Sequence, residues 1–209
     1  HIGLYMSEPL GRSFFMDTAA FYGESENEIK RTQVLPTGTV SGRGRMQSQE
    51  FLLQAGLGAQ LATTGSLWSI VPSVRIAYAG VHQNSATEER AGSVGVRSNA
   101  KWNSTALSRT GLDVSREGRI GRVPARVSAN AAWVHDFAVD PRRLGVRWLG
   151  EQGSSWTISS GRRAADALKL GMSLEIGLGD RRTLRLYGEQ EFQQNAKITR
   201  GGVTFTIGF

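Results

Sequence analysis

Cysteine is absent from the 209 residues and proline occurs only five times. No apolar run approaches the ~18 residues that a membrane-crossing helix needs. The first absence excludes a disulfide scaffold and a thiolate metal site. The last excludes a helical membrane protein, but not a membrane barrel, whose strands need only about 9 to 11 alternating residues each. No signal peptide opens the chain at His1. Acidic residues are in the minority, 18 against 25 Lys and Arg, giving a net charge of +7. The cations are scattered rather than gathered into a tail or an aromatic-basic motif, which argues against nucleic-acid binding. Glycine is abundant, 26 residues, well above the usual ~7%. That points to many turns or closely packed strands.

Period-two alternation dominates. Leu168, Leu170, Met172, Leu174, Ile176 and Leu178 alternate without a miss against Lys169, Gly171, Ser173, Glu175 and Gly177. A helix would scatter these residues around its circumference, so the segment is a strand. Phe51 to Leu61, Trp68 to Tyr78 and Ala125 to Trp133 repeat the pattern. The sequence supports eleven antiparallel strands: 1–7, 13–25, 46–61, 67–82, 101–116, 122–137, 143–150, 154–160, 167–178, 183–192 and 199–209.

A soluble sheet also has one dry and one wet face, and a soluble basic β-sandwich is the bland alternative. Two features favour a barrel with lipid outside and water inside. Short turns, at Pro9 to Arg12, Ala62 to Ser66, Glu117 to Gly121, Gly150 to Gly153 and Gly179 to Arg182, fall at one end. Long polar loops, Glu26 to Arg45 and Gln83 to Ala100, fall at the other with shorter ones near Asp140, Arg162 and Asn195, the asymmetry of bacterial outer-membrane barrels. Outward aromatics also sort into two rows. Tyr22, Tyr78, Trp102, Trp133 and Phe192 lie toward the long loops, and Phe14, Trp68, Trp148, Trp156 and Phe209 toward the short turns, as rings at two lipid-water interfaces would.

Charged and polar residues on the second face must then line a wet lumen: Asp17, Glu50, Gln54, Arg75, Arg109, Asp113, Arg126, Asn130, Lys169, Glu175, Arg185, Glu189 and Glu191. A Lys or Arg facing mid-membrane lipid would cost about 2–4 kcal/mol. Most of these charges would crosslink strands, and some would touch a guest in the pore, with Gly56, Gly58, Gly111, Gly171 and Gly177 either leaving room for it or simply allowing strands to bend and pack closely. An odd strand count leaves an edge unpaired in hydrocarbon, so at least one strand is expected upstream of His1 and about twelve in the complete barrel.

The chain has three histidines, His1, His82 and His135, and a catalytic role would need one beside a nucleophile and an orienting carboxylate. His135 and Asp136 point to opposite faces of one strand and cannot easily act together, so His135, like His82, is expected to be an interfacial or loop-anchoring residue. No zinc-protease, nucleophile-elbow or phosphate-loop pattern occurs. The segment is expected to catalyse no reaction and to need no cofactor or metal.

The chain ends with alternating Val203, Phe205, Ile207 and Phe209, similar to the C-terminal signal by which outer-membrane strands engage the β-barrel assembly machinery. Trp133-Val134-His135-Asp136-Phe137 resembles the Trp-x-His-x-Phe element of autotransporter translocator domains. The strand with Asp166, Leu168, Leu170 and Gly171, the Gly179-Asp180-Arg181 turn and Tyr187 to Phe192 also resemble that family. The resemblance runs from about Gln49 to Phe209. It implies one translocator domain over 1–209, truncated at its N-terminus: a twelve-stranded outer-membrane barrel, its first strand and pore helix missing here, that exports and anchors an N-terminal passenger. The implied partners are outer-membrane lipid and lipopolysaccharide, the β-barrel assembly machinery with periplasmic chaperones, and the chain's own passenger and pore helix, the barrel acting as a monomer without nucleic acid. A free-standing pore, or a barrel hydrolase with a Ser-His pair on the lipid-facing rim, are the alternatives.

Overall fold

The computed structural model describes all residues except 37, 62–64, 151–153, 180 and 209. It is built of antiparallel strands: β1 (Ile2–Leu10), β2 (Phe14–Leu35), β3 (Gly38–Ala59), β4 (Trp68–Gln83), β5 (Ala86–Glu89), β6 (Val96–Ser98), β7 (Lys101–Ile120), β8 (Val123–Asp136), β9 (Arg143–Trp148), β10 (Ser155–Ser159), β11 (Asp166–Gly177), β12 (Arg182–Gln193) and β13 (Ala196–Ile207).

Nine of these form a continuous wall in the order β1-β2-β3-β4-β7-β8-β11-β12-β13. This corrects the expected eleven. Segments 143–150 and 154–160 do not enter the wall, because β8 pairs directly with β11 from Asp166↔His135 to Ile176↔Ala125. Instead β9 and β10 pair with each other, β9 pairs β6, β6 pairs β5, and β5 joins the upper part of β3. These short strands form a collar at the long-loop end. Their alternation had the right period for strands but said nothing about which neighbour they pair with.

The segment 26–45, expected to be a loop, is strand. β2 and β3 pair without interruption from Phe14↔Ala59 to Leu35↔Gly38. Each has 22 residues, about 75 Å at ~3.4 Å per residue, so roughly half of this hairpin stands beyond a bilayer that 9 to 11 residues suffice to cross. Its upper half is polar because water surrounds it, and its Ser, Thr and Glu-Arg cross-strand pairs hold the ladder where hydrophobicity does not.

Wall strands are joined at the opposite end by tight turns. β7 and β8 close over Gly121 and Arg122, with Ile120 paired to Val123 and Gly121 at φ 64°, a left-handed backbone that glycine adopts without strain. The turn expected at Ala62 to Ser66 lies partly outside the described residues. So does the Asp180 turn.

The alternation sorts the faces as expected. Leu53, Ile76, Val127, Met172 and Val203 point outward and are 54%, 61%, 56%, 69% and 67% exposed, while no large side chain among the described residues is fully buried. A soluble sandwich of this size would hide such residues between its sheets. Here they form a continuous apolar surface that only a non-aqueous solvent can cover.

Candidate functional site: the lumen face

The lumen face is organised by ion pairs that cross strands. Asp17 on β2 accepts two bonds from Arg75 on β4, Nε to Oδ2 at 2.9 Å and Nη2 to Oδ1 at 3.1 Å. β3 runs between them, and its residue at that level is Gly56, opposite both partners in register. A Cβ at Gly56 would stand 2.8 Å from Asp17 Oδ1 and 3.1 Å from Arg75 Cγ. The pair can therefore span β3 only because a glycine lies beneath it. Gln54 Nε2 lies 3.5 Å from Asp17, and Glu50 faces His1 at 3.7 Å.

A second cluster crosses β11, β12 and β13. Glu191, only 6% exposed, is held by Lys169 at 3.3 Å and Arg200 at 2.9 Å, and Arg200 also binds Glu189 at 2.8 Å. Arg200 is not among the lumen residues expected from the sequence. Its parity with Gly202, Thr204 and Thr206 on the last strand already placed it inward.

Between these clusters lies a cavity of about 370 Å³ lined by Asp113, Asn130, Arg126, Glu175, Arg185 and Glu189, among others. Arg126, Glu175 and Arg185 are in register on three adjacent strands. Arg126 donates to Ser115 at 2.9 Å. Among the described residues neither Arg109, Asp113, Glu175 nor Arg185 makes an ion pair, so these charges face open, solvated space. Arg109 is opposite Arg75; the like charge is offset by Asp17.

The inward glycines do not all leave vacant room. The space at Gly56 belongs to the Asp17–Arg75 pair, that at Gly58 to the Phe15 ring, that at Gly171 to Asn130, and those at Gly111 and Gly177 are bounded by Ala132 and Pro124. These glycines let neighbouring side chains of the wall cross one another, which is the strand-packing role of glycine.

On the outer face the upper aromatic row is contiguous across β3, β4 and β7. Phe51 stacks on Trp102 with centroids 5.5 Å apart and meets Tyr78 at 5.5 Å. Gly80 lies under this contact; a Cβ there would stand 2.6 Å from both Phe51 and Trp102. Tyr22 is opposite Phe51. Trp68 is ten residues below Tyr78 on β4, about 34 Å of strand, which at a tilt near 40° corresponds to about 26 Å of membrane, close to the ~25 Å apolar band of such barrels. Arg116 lies over Trp68 at 5.4 Å, as a cation at an interface should. Trp148 and Trp156 are not in the lower row. They sit in the collar, 5.0 Å apart, with the Arg31 guanidinium 5.8 Å from Trp148. The same misplacement of 143–160 that inflated the strand count moved them to the wrong end.

At the loop-end rim His135 Nδ1 and Trp133 Nε1 both meet Asp166 Oδ1 at 2.9 Å, while Asp136 turns the other way to bind Arg163 at 2.9 Å and Thr105. These bonds anchor both ends of the 137–165 connection. Ser108 is opposite His135 in register, which sets Ser, His and Asp in one outward row. Yet among the described residues the Ser108 hydroxyl makes no hydrogen bond to His135, and the ring is packed edge-on against Phe137 at 4.6 Å.

On the outer face of β13, Val203, Phe205 and Ile207 are opposite Leu186, Leu184 and Arg182; Phe209 lies outside the described residues.

The collar is locked by Arg31, whose Nε and Nη2 donate to Glu88 at 2.8 and 2.6 Å and whose Nη2 also reaches the Val94 carbonyl. The guanidinium holds the Glu88 carboxyl below its ordinary range.

A single antiparallel wall with an apolar outside, an upper aromatic row, Phe14 and Trp68 toward the turns, and a charged inside defines the transmembrane β-barrel class of the outer membrane. The family model for the autotransporter beta-domain matches residues 1–189, and the chain belongs to that family. The match begins further upstream than the resemblance read from Gln49 onward, and it stops short of β13. No match was found among curated proteins.

Proposed function

We propose that this chain is the outer-membrane translocator of an autotransporter, exporting an N-terminal passenger and anchoring it at the cell surface, and that the segment itself catalyses no reaction. The observation that carries this reading is the inverted solvation of the wall, dry outside and charged inside, in a chain that belongs to the autotransporter β-domain family. A polar lumen lets an extended peptide pass without stripping water from its backbone, at a cost of several kcal/mol per unsatisfied group in hydrocarbon. The unpaired charges around the 370 Å³ cavity are the groups that would meet the passenger or a pore helix. β1 and β13, first and ninth in an antiparallel series, run in the same direction. Antiparallel closure therefore takes an odd number of further strands between them, which supports the larger barrel. Folding of the passenger outside and the assembly machinery would supply the driving force.

The test is surface display. A reporter fused upstream of the barrel should become protease-accessible on intact cells when the barrel is present, and should stay in the periplasm when β11 to β13 are deleted. A free-standing pore would conduct ions and assemble normally without delivering any fused segment to the surface. That outcome would overturn the proposal.

A further inference from the structure

The outward face of the collar carries a set of cations that the ion pairs of the lumen do not use. Register places them. Phe51, Arg45 and Arg43 share the outward face of β3; Glu89 is opposite Arg43; Thr87, two residues before Glu89, is opposite Arg97; and Arg97 is opposite Arg147. Arg143, four residues before Arg147 on β9, lies on the same face opposite Ser159, with Ser155 beside Arg147. Arg43 is paired with Glu28, Lys30 shares Glu28 at 3.8 Å, and Arg45 faces Glu26 at 3.8 Å. Arg97, Arg143 and Arg147 have no ion-pair partner among the described residues. Arg143 and Arg147 are exposed and Arg97 half-buried.

Two arginines directly opposite each other on neighbouring strands repel. Guanidinium groups also bind phosphate oxygens in a fork that no other side chain matches. Serine and threonine hydroxyls surround this pair. The patch continues the lipid-facing side of the wall: register puts Arg97 and Thr87 at the level of Arg45, six residues along β3 above Phe51 of the upper aromatic row, about 20 Å of strand at ~3.4 Å per residue. This is the height at which the phosphorylated sugars of an outer-leaflet glycolipid stand above the acyl chains.

We propose that Arg97, Arg143 and Arg147 form a binding site for the phosphate groups of lipopolysaccharide, fastening the collar to the outer leaflet. The proposal rests on the outer-membrane orientation given above. The occupant is a lipid headgroup rather than free phosphate, because Arg97 and Arg147 adjoin the lipid-facing surface on an open sheet face, with Arg143 and Ser159 at the border of a wide cavity of about 510 Å³.

The test uses the folded protein in detergent, with its heat-unfolding midpoint read on gels. Intact lipopolysaccharide should raise the midpoint. The same lipopolysaccharide with its phosphates removed should raise it much less, and inorganic phosphate at equal phosphorus should leave it unmoved. R97Q/R143Q/R147Q should lose most of the phosphate-dependent shift, and K30Q/R45Q should keep it. Equal shifts from intact and dephosphorylated lipopolysaccharide in the unsubstituted protein would overturn the site even if the triple variant failed to fold. A full shift retained in a folded triple variant, or one reproduced by inorganic phosphate, would also overturn it. Orientation is read separately by labelling T32C on intact cells: an unlabelled T32C rejects the surface placement, whereas a labelled T32C with no phosphate dependence rejects the site alone.

Discussion

Asp17 and Arg75 lie two strands apart and grip each other across Gly56, the one residue type that lets the bidentate pair form over β3. Asp17 is 3% exposed, whereas Arg75 keeps contact with the lumen. Asp17→Ala should therefore destabilise the folded barrel by about 1–3 kcal/mol, less than a fully buried pair would lose. Gly56→Ala should cost about 1–2 kcal/mol by pushing the carboxylate aside. Combined, the two should cost clearly less than their sum, since both remove one interaction. Urea midpoints in lipid vesicles measure this, and additive losses would show that Gly56 serves something other than the pair.

The two faces of one strand can be compared directly. Leu170→Arg puts a cation into lipid and should destabilise by about 2–4 kcal/mol, while Ser173→Arg, facing the lumen cavity, should stay within about 1 kcal/mol of the unsubstituted protein. Similar losses at the two positions would contradict the face assignment.

The collar should loosen in acid. Glu88 is held below the ordinary carboxylate range chiefly by its hydrogen bonds from Arg31, with the Val96 N–H adding to them. Its contribution is therefore complete above the ordinary glutamate value of about 4.3 and fades as pH falls through the lower, folded-state value. Emission from Trp148 and Trp156, read against a variant lacking both, should change in that acid window. Glu88→Gln should abolish the transition; an identical transition in the variant would place its origin elsewhere.

Phe209→Ala should slow assembly into the membrane while hardly altering the stability of barrels already folded, because the residue ends the alternating series of Val203, Phe205 and Ile207. Pulse-chase of heat-modifiable protein reads the rate. A normal rate would refute the terminal-signal assignment.

Wall and lumen were largely legible in the sequence because both follow from period-two alternation, which a single mis-set residue would invert. Leu168 to Leu178 fixed the faces of β11, and parity alone placed Asp17, Arg75, Lys169 and Glu191 inward. Pairing partners were not legible. β9 and β10 alternate like wall strands, and only long-range register shows that β8 meets β11 while the hairpin bearing Trp148 and Trp156 joins β6. The polar upper half of β2 and β3 carried no hydrophobic signal, so it read as a loop. At Gly56 and Gly58 parity leaves lumen volume and close packing equally open, because the side chains that fill their places come from other strands. The hydrolase reading has its own check: Ser108 is adjacent to His135, and a serine-directed phosphonate should leave the protein unlabelled, labelling at Ser108 being the contrary result.

Which face meets lipid is tested most directly by single cysteines at Leu170, Met172, Lys169 and Glu175 in the membrane-inserted protein. Cysteines at 170 and 172 should resist a water-soluble maleimide, and a fluorophore placed there should be quenched by spin-labelled lipid. Cysteines at 169 and 175 should react readily and escape that quenching. Equal reactivity and equal quenching at all four positions would contradict the inverted wall.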